Sequence, residues 1–225
     1  MAKTRTKLSD RQLPDYTKGE EIFNMVSHIV GGGLGVIVLI ACIVVSALRH
    51  SVVGIISGSV FGVSMITLYT MSSIYHGLRT NLSKKVFQVI DHCTIFFLIA
   101  GTYTPITLCA LARENPVAAY VTFGIVWGFS VLGIVLNAID LSKYNLFSMF
   151  CYVGTGWGII FSVVPVWHAL TPAGFILLLL GGVFYTGGVL FYQFGKKVRY
   201  FHSVFHLFVL VGSILHSLCV LLYAL

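Results

Sequence analysis

The chain has 225 residues, 57% of them hydrophobic and only 9% charged, with a formal net charge of +7 and a mean hydropathy of +0.94. A soluble domain carries roughly 25% charged residues, so this composition excludes an ordinary water-soluble core and leaves a polytopic membrane protein with room for one helical bundle. Five cysteines, at 42, 93, 109, 151 and 219, fall in or beside apolar runs with no C-x-x-C pair, and so read as small core residues and not as a disulfide framework or a thiolate metal site.

Residues 1–21 read as a short, mobile, basic cytosolic tail, with Lys3, Arg5, Lys7, Arg11 and Lys18 and no removable signal sequence after it. Residues 22–225 read as one transmembrane domain. Seven apolar segments follow one another, at about 22–47, 52–78, 86–111, 117–138, 145–167, 171–193 and 199–223, each near the roughly 20 residues that cross a bilayer as a helix. The expected fold is therefore an all-α integral membrane protein of seven transmembrane helices, since barrel strands would alternate over about ten residues instead.

Orientation follows from the basic residues. With seven spans, one side holds the five tail residues, then Arg79, Lys84 and Lys85, then Lys143, then Lys196, Lys197 and Arg199, while the other holds only Arg49 and Arg113. Basic residues mark the cytosolic side, which places the N-terminus in the cytosol and the C-terminus outside the cytoplasm. Glycine clusters at 31–35, 54–62, 154–158 and 181–188 read as sites of close helix packing, and Pro105 as a bend in the third span.

The rare polar residues inside the spans then fall at one depth. Helical rise puts His76 roughly 3–6 Å and Ser72 roughly 9–12 Å from the cytosolic end of the second span, Asp91 roughly 7 Å into the third, and His202 and His206 roughly 5–11 Å into the seventh. Ionisable groups at that depth are costly unless they pair, face a cavity or bind an ion. Three histidines with no thiolate nearby match an open zinc site, in which three protein ligands leave one position free. His76, His202 and His206 are the expected Zn2+ ligands, with Asp91 as orienting group or proton acceptor and Ser72 one turn from His76 on the same face.

Rival uses of intramembrane histidines fit less well. A bis-histidine haem would leave Asp91 and Ser72 without a role, and no lysine lies deep enough for a retinal Schiff base. An ion or proton pathway, or a metal that only braces helices, stays open. Glu21, Asn24 and His28 share one helix face and either line the mouth of the site or answer the helix dipole. His92 reads as structural, His216 as too deep to share the metal, and Asp140, His50 and His168 as interfacial.

S-x-x-x-H at Ser72–His76, Asp91 after a short basic loop, and H-x-x-x-H at His202–His206 together resemble the signature of the progestin and adipoQ receptor family. The opening E-E-I-F-N-M-V-S-H and the stretch D-H-C-T-I-F-F-L-I-A-G-T-Y-T-P resemble its bacterial haemolysin III-type branch, and the likeness runs along nearly the whole chain. The resemblance implies the same seven-helix fold and zinc site, location in the plasma membrane, and hydrolysis of a lipid amide or ester as in alkaline ceramidases. It equally implies a sensing, regulatory or lytic role without catalysis. The expected partners are membrane lipids and a lipid substrate or ligand, not nucleic acid.

Overall fold

The computed structural model describes residues 5–195 and 197–225, and the described residues are helical almost throughout, with no strand among them. The helices are α1 (Lys18–Leu48), α2 (Val52–Gly77), α3 (Leu82–Pro105), α4 (Ala112–Glu114), α5 (Pro116–Gly156), α6 (Val163–Phe194) and α7 (Phe201–Cys219). Their starts are written locally. Thr17 and Glu20 form a reciprocal capping box on α1, while Ser51, Asn81 and Asn115 cap α2, α3 and α5 by accepting from the backbone N–H three residues on.

Five helical stretches among the described residues are long and apolar enough to cross a membrane. The chain is thus a multi-pass membrane protein, and large apolar side chains such as Ile37, Ile40, Val44 and Phe161 face outward, as a lipid-facing surface requires. One of the five stretches, Pro116–Phe194, runs for 79 residues. Straight, it would be about 118 Å long, but two backbone breaks divide it. At Asp140 (φ −161°, ψ 90°) the carboxylate Oδ1 accepts from the N–H groups of Ser142 and Lys143, so Asp140 caps a new helix. At Thr171 (φ 60°, ψ 164°) the helix is interrupted in front of Pro172, which opens the next one.

Pro105 does not simply bend the third helix. It ends α3, and the chain continues through a wide π-helical turn, Ile106–Leu111, into the short α4. A proline lacks the N–H that would bond to residue 101, and the widened turn redistributes the carbonyls around it.

Glycines set the closest approach, between α1 and α2. A Cβ on Gly62 would stand 2.6 Å from the Leu39 Cα, and one on Gly58 2.6 Å from the Cys42 Cβ. Gly154 and Gly156 differ from the packing expectation, because nothing lies within 4 Å of where their Cβ would be.

The described tail residues make hydrogen bonds to the bundle and to α3. Arg5 Nε donates to the Ile139 carbonyl (2.8 Å), Thr6 N to Asp140 Oδ2 (2.7 Å) and Arg11 Nε to Ser142 Oγ (3.3 Å), while Lys85 Nζ bonds the Ser9 carbonyl. Arg11 is 8% exposed, and that burial lowers its guanidinium pKa while Asp140 pulls the other way. The break at Asp140 supplies the acceptors, a feature that tail composition does not reveal. Lys3 and Lys196 lie outside the described residues.

Gly62→Val should cost about 1–3 kcal/mol, because the Leu39 backbone opposite it cannot rotate away. Gly33→Ala, with nothing within 4 Å of its Cβ position, should be close to neutral. Thermal unfolding of the two variants in detergent checks the contrast.

Candidate metal centre

Tyr200, in the left-handed region (φ 62°), turns the chain into α7, and four-residue spacing then puts His202 and His206 on one face, one turn apart. Their Nε2 atoms lie 3.1 Å from each other. His76 comes from the last turn of α2, its ring centroid 5.4 Å from that of His202 and 4.9 Å from that of His206. All three are buried, and one ring nitrogen from each lies within 4.8 Å of the others.

The carboxylate of Glu21, on the first turn of α1, is 2.6 Å from His76 Nδ1 through Oε2, and accepts from Lys84 Nζ at 2.7 Å through Oε1. Lys84 also donates to the Leu78 carbonyl at 3.0 Å. A proton on Nδ1 facing Glu21 leaves Nε2 of His76 as a lone pair. That Nε2 is buried and has no hydrogen-bond partner among the described residues. An imidazole steered by a carboxylate on one nitrogen, with the other free toward two more imidazoles, is the donor arrangement a zinc ion takes. The residues present fit that metal.

A further layer surrounds the three rings. His28 stacks on His206 at 3.8 Å between centroids and sets the edge of Tyr69 against its other side at 5.0 Å. Asn24 Oδ1 accepts from Ser203 Oγ at 2.7 Å, tying α1 to α7. From the tail, Tyr16 stacks on His202 at 4.8 Å and lies 5.8 Å from His76. The three candidates on the α1 face are thus part of the site's packing, and each touches a different neighbour.

Ser72 and Asp91 share a cavity of about 180 Å³ with His202, His206 and His28. Ser72 is buried, while Asp91 is partly exposed with Oδ2 3.6 Å from His92 Nδ1. His92 also lines this cavity, where its Nδ1 meets the Gln88 carbonyl (2.8 Å) and its Nε2 the Tyr192 hydroxyl (3.1 Å). His216 lines the same cavity farther along α7, its Nε2 3.1 Å from the Leu178 carbonyl. Most of the wall is apolar.

The structure therefore gathers His76, His202 and His206 at one point and places Ser72 and Asp91 among the residues lining the cavity that His202 and His206 also line. One neighbour, Tyr16, escaped the sequence reading, and one pairing did. Glu21 was visible as a helix-face carboxylate, but its partner 55 residues away was not. Tyr16 carries no sequence signal, because it sits in an aperiodic tail.

The family described as haemolysin-III related matches residues 16–217. The chain belongs to that family. A hemolysin-3 homolog of Bacillus subtilis (strain 168) is 38% identical over 208 residues, covering 92% of this chain and 96% of the relative. The hemolysin-3 of Bacillus cereus is 35% identical over 206 residues, covering 92% of each. The human monocyte to macrophage differentiation factor is 23% identical over 168 residues, which cover 72% of this chain and 67% of that protein. These relatives bear out the resemblance to the progestin and adipoQ receptor family through its haemolysin III-type branch. No solved structure matches the chain.

The Glu21–Lys84 pair yields a stability prediction to be read on metal-free protein, because Glu21 also bonds His76. Lys84 keeps 4% of its side chain exposed and Glu21 20%. Glu21→Gln should cost about 2 kcal/mol, less than the ~3–5 kcal/mol of a fully buried pair. The double variant Glu21→Gln/Lys84→Met should recover part of that loss, and a thermodynamic cycle from detergent unfolding curves reads the coupling.

Proposed function

We propose that this haemolysin-III protein is a zinc-dependent hydrolase of a lipid amide or ester, set in the cytosolic leaflet of the plasma membrane and serving lipid balance. The observation that carries the reading is the mainly apolar cavity that Ser72 and Asp91 line together with His202 and His206, two of the three clustered histidines. A metal that only braced helices would need no such space next to it.

His76, His202 and His206 would hold the zinc, with Glu21 fixing the His76 tautomer. The ion would supply Lewis acidity, bringing the pKa of a water toward about 7. Asp91 is the general base, accepting the proton from water as the oxygen attacks the acyl carbon, and then donating it to the leaving nitrogen or oxygen as that bond breaks. The products are a carboxylate and an amine or alcohol. The Ser72 hydroxyl donates to the oxygen on which negative charge develops. Tyr16, stacked on His202, covers the cluster from the tail side and limits water there.

The same reading takes α1, α2, α3 with its extension, the segments 116–139, 141–170 and 172–194, and α7 as seven spans, with the tail in the cytosol. Both the basic residues concentrated at the tail end and the breaks at Asp140 and Thr171 support it. The names of the bacterial relatives speak of haemolysis, and a lytic role is a property to assay on the same preparations.

His206→Ala should strip the zinc, whereas Asp91→Asn should keep most of it and lose at least about 100-fold in turnover. Metal content and fatty-acid release from a panel of N-acylated sphingoid lipids and esters, measured on the same detergent preparations, check both. A zinc-loaded wild type that cleaves none of them would shift the reading to a bracing metal in a sensor or lytic factor. Reporter fusions at Leu225 and within the connection 78–81 should report from opposite sides of the membrane.

A further inference from the structure

The cavity beside the histidines has a fixed far end. Measured from the level of His206, four helices give similar lengths for it, while the lining continues past that level to Gln88, His202 and Tyr16. Residues that line it at the histidine level and at its far end are Asp91 and Tyr103 on α3, Asn145 and Gly156 on α5, Tyr192 and Gly182 on α6, and His206 and His216 on α7. These pairs are ten to twelve residues apart in the sequence, which at helical rise is roughly 15–18 Å. Between the two levels the wall is apolar, with Leu98, Ile99, Val153, Val189 and Val209 among its residues.

The far end is a hydrogen-bonded set of rings. Tyr103 OH donates to the Gly156 carbonyl at 2.7 Å and accepts from Ile159 N at 3.0 Å. Trp157 Nε1 donates to Thr186 Oγ1 at 2.9 Å. His216 is bonded to the Leu178 carbonyl, has the edge of Tyr185 against it at 5.2 Å, and lies so close over Gly181 that any Cβ there would run into its ring. Each ring has a polar anchor that fixes its rotamer, so the end does not yield as a stack of aliphatic side chains would. A volume of about 180 Å³ spread over that length is a slot one chain wide.

We infer that this slot is an acyl-chain gauge, which takes one unbranched chain of about 12 to 14 carbons and is stopped by His216 and Trp157, an all-trans chain of ~1.5 Å bonds advancing ~1.25 Å per carbon. The assignment of the histidine end to the carbonyl rests on the hydrolase reading; the length limit itself does not. His216, anchored by its hydrogen bond to the Leu178 carbonyl, is thus also a specificity-determining residue. Gly182 is its counterpart on the wall. A Cβ there meets Trp157 at 3.7 Å, an ordinary contact, so a small side chain fits and any larger one takes space from the slot.

Saturated fatty acids of 8 to 18 carbons test the gauge, because they bind without being turned over. Thermal stabilisation of the detergent-purified full chain by each acid is the readout. Wild type should show a maximum near 12 to 14 carbons and a decline by 18, at the ~1.25 Å per carbon of an extended chain. His216→Ala should move the maximum longer by about two to four carbons, the depth of the lost ring on that scale, and Gly182→Val should move it shorter. If His216→Ala does not fold, the direction of the Gly182→Val shift decides. Stabilisation that climbs steadily through 18 carbons, or a maximum that neither variant moves, overturns the gauge. A clear maximum in a protein that cleaves no lipid sinks the hydrolase reading and leaves the gauge standing, whereas cleavage indifferent to chain length does the reverse.

Discussion

Three imidazoles buried together are the constraint around which this bundle is arranged. A neutral imidazole has one donor and one acceptor, and each costs free energy in an apolar interior unless it is met. His76 meets the requirement on one side only, through Glu21, and turns its other nitrogen toward His202 and His206. The bond to Glu21 is thus the interaction that fixes the geometry of the rest. It selects the tautomer, orients the ring and leaves an acceptor facing two more.

That bond in turn depends on how closely α1 lies against α2. Gly58 and Gly62 bring the two backbones into contact, so the start of α1 reaches the end of α2. The same proximity brings His28 onto the face of His206 and Asn24 onto Ser203 of α7. Backbone packing along α1 and α2 and the polar chemistry at one end of them are therefore one design. Lys84 adds to the coupling, since it neutralises Glu21 from the start of α3 and so draws a third helix to the same carboxylate.

The tail-side end of the bundle shows how a short segment without periodicity becomes ordered. The break at Asp140 exposes a carboxylate and the carbonyl of Ile139, and the tail donates to both. Pinned there, the chain carries Tyr16 over His202 before α1 begins.

The sequence by itself determined the membrane class and the helical architecture. Those properties follow from hydrophobic run length and helical rise, which are local and additive along the chain. His202 and His206 were legible as a pair because four residues make one turn, and His76 because its depth matched theirs. Only the tertiary structure decided what shares a point in space with them. Glu21 as the partner of His76, Tyr16 over His202, the ordered tail, and the rings of Tyr103, Trp157 and His216 closing one cavity all join residues tens to hundreds of positions apart. Their contacts depend on helix rotation and on the glycine seam between α1 and α2, and a one-dimensional period carries a residue's depth and face but not which neighbouring helix that face meets.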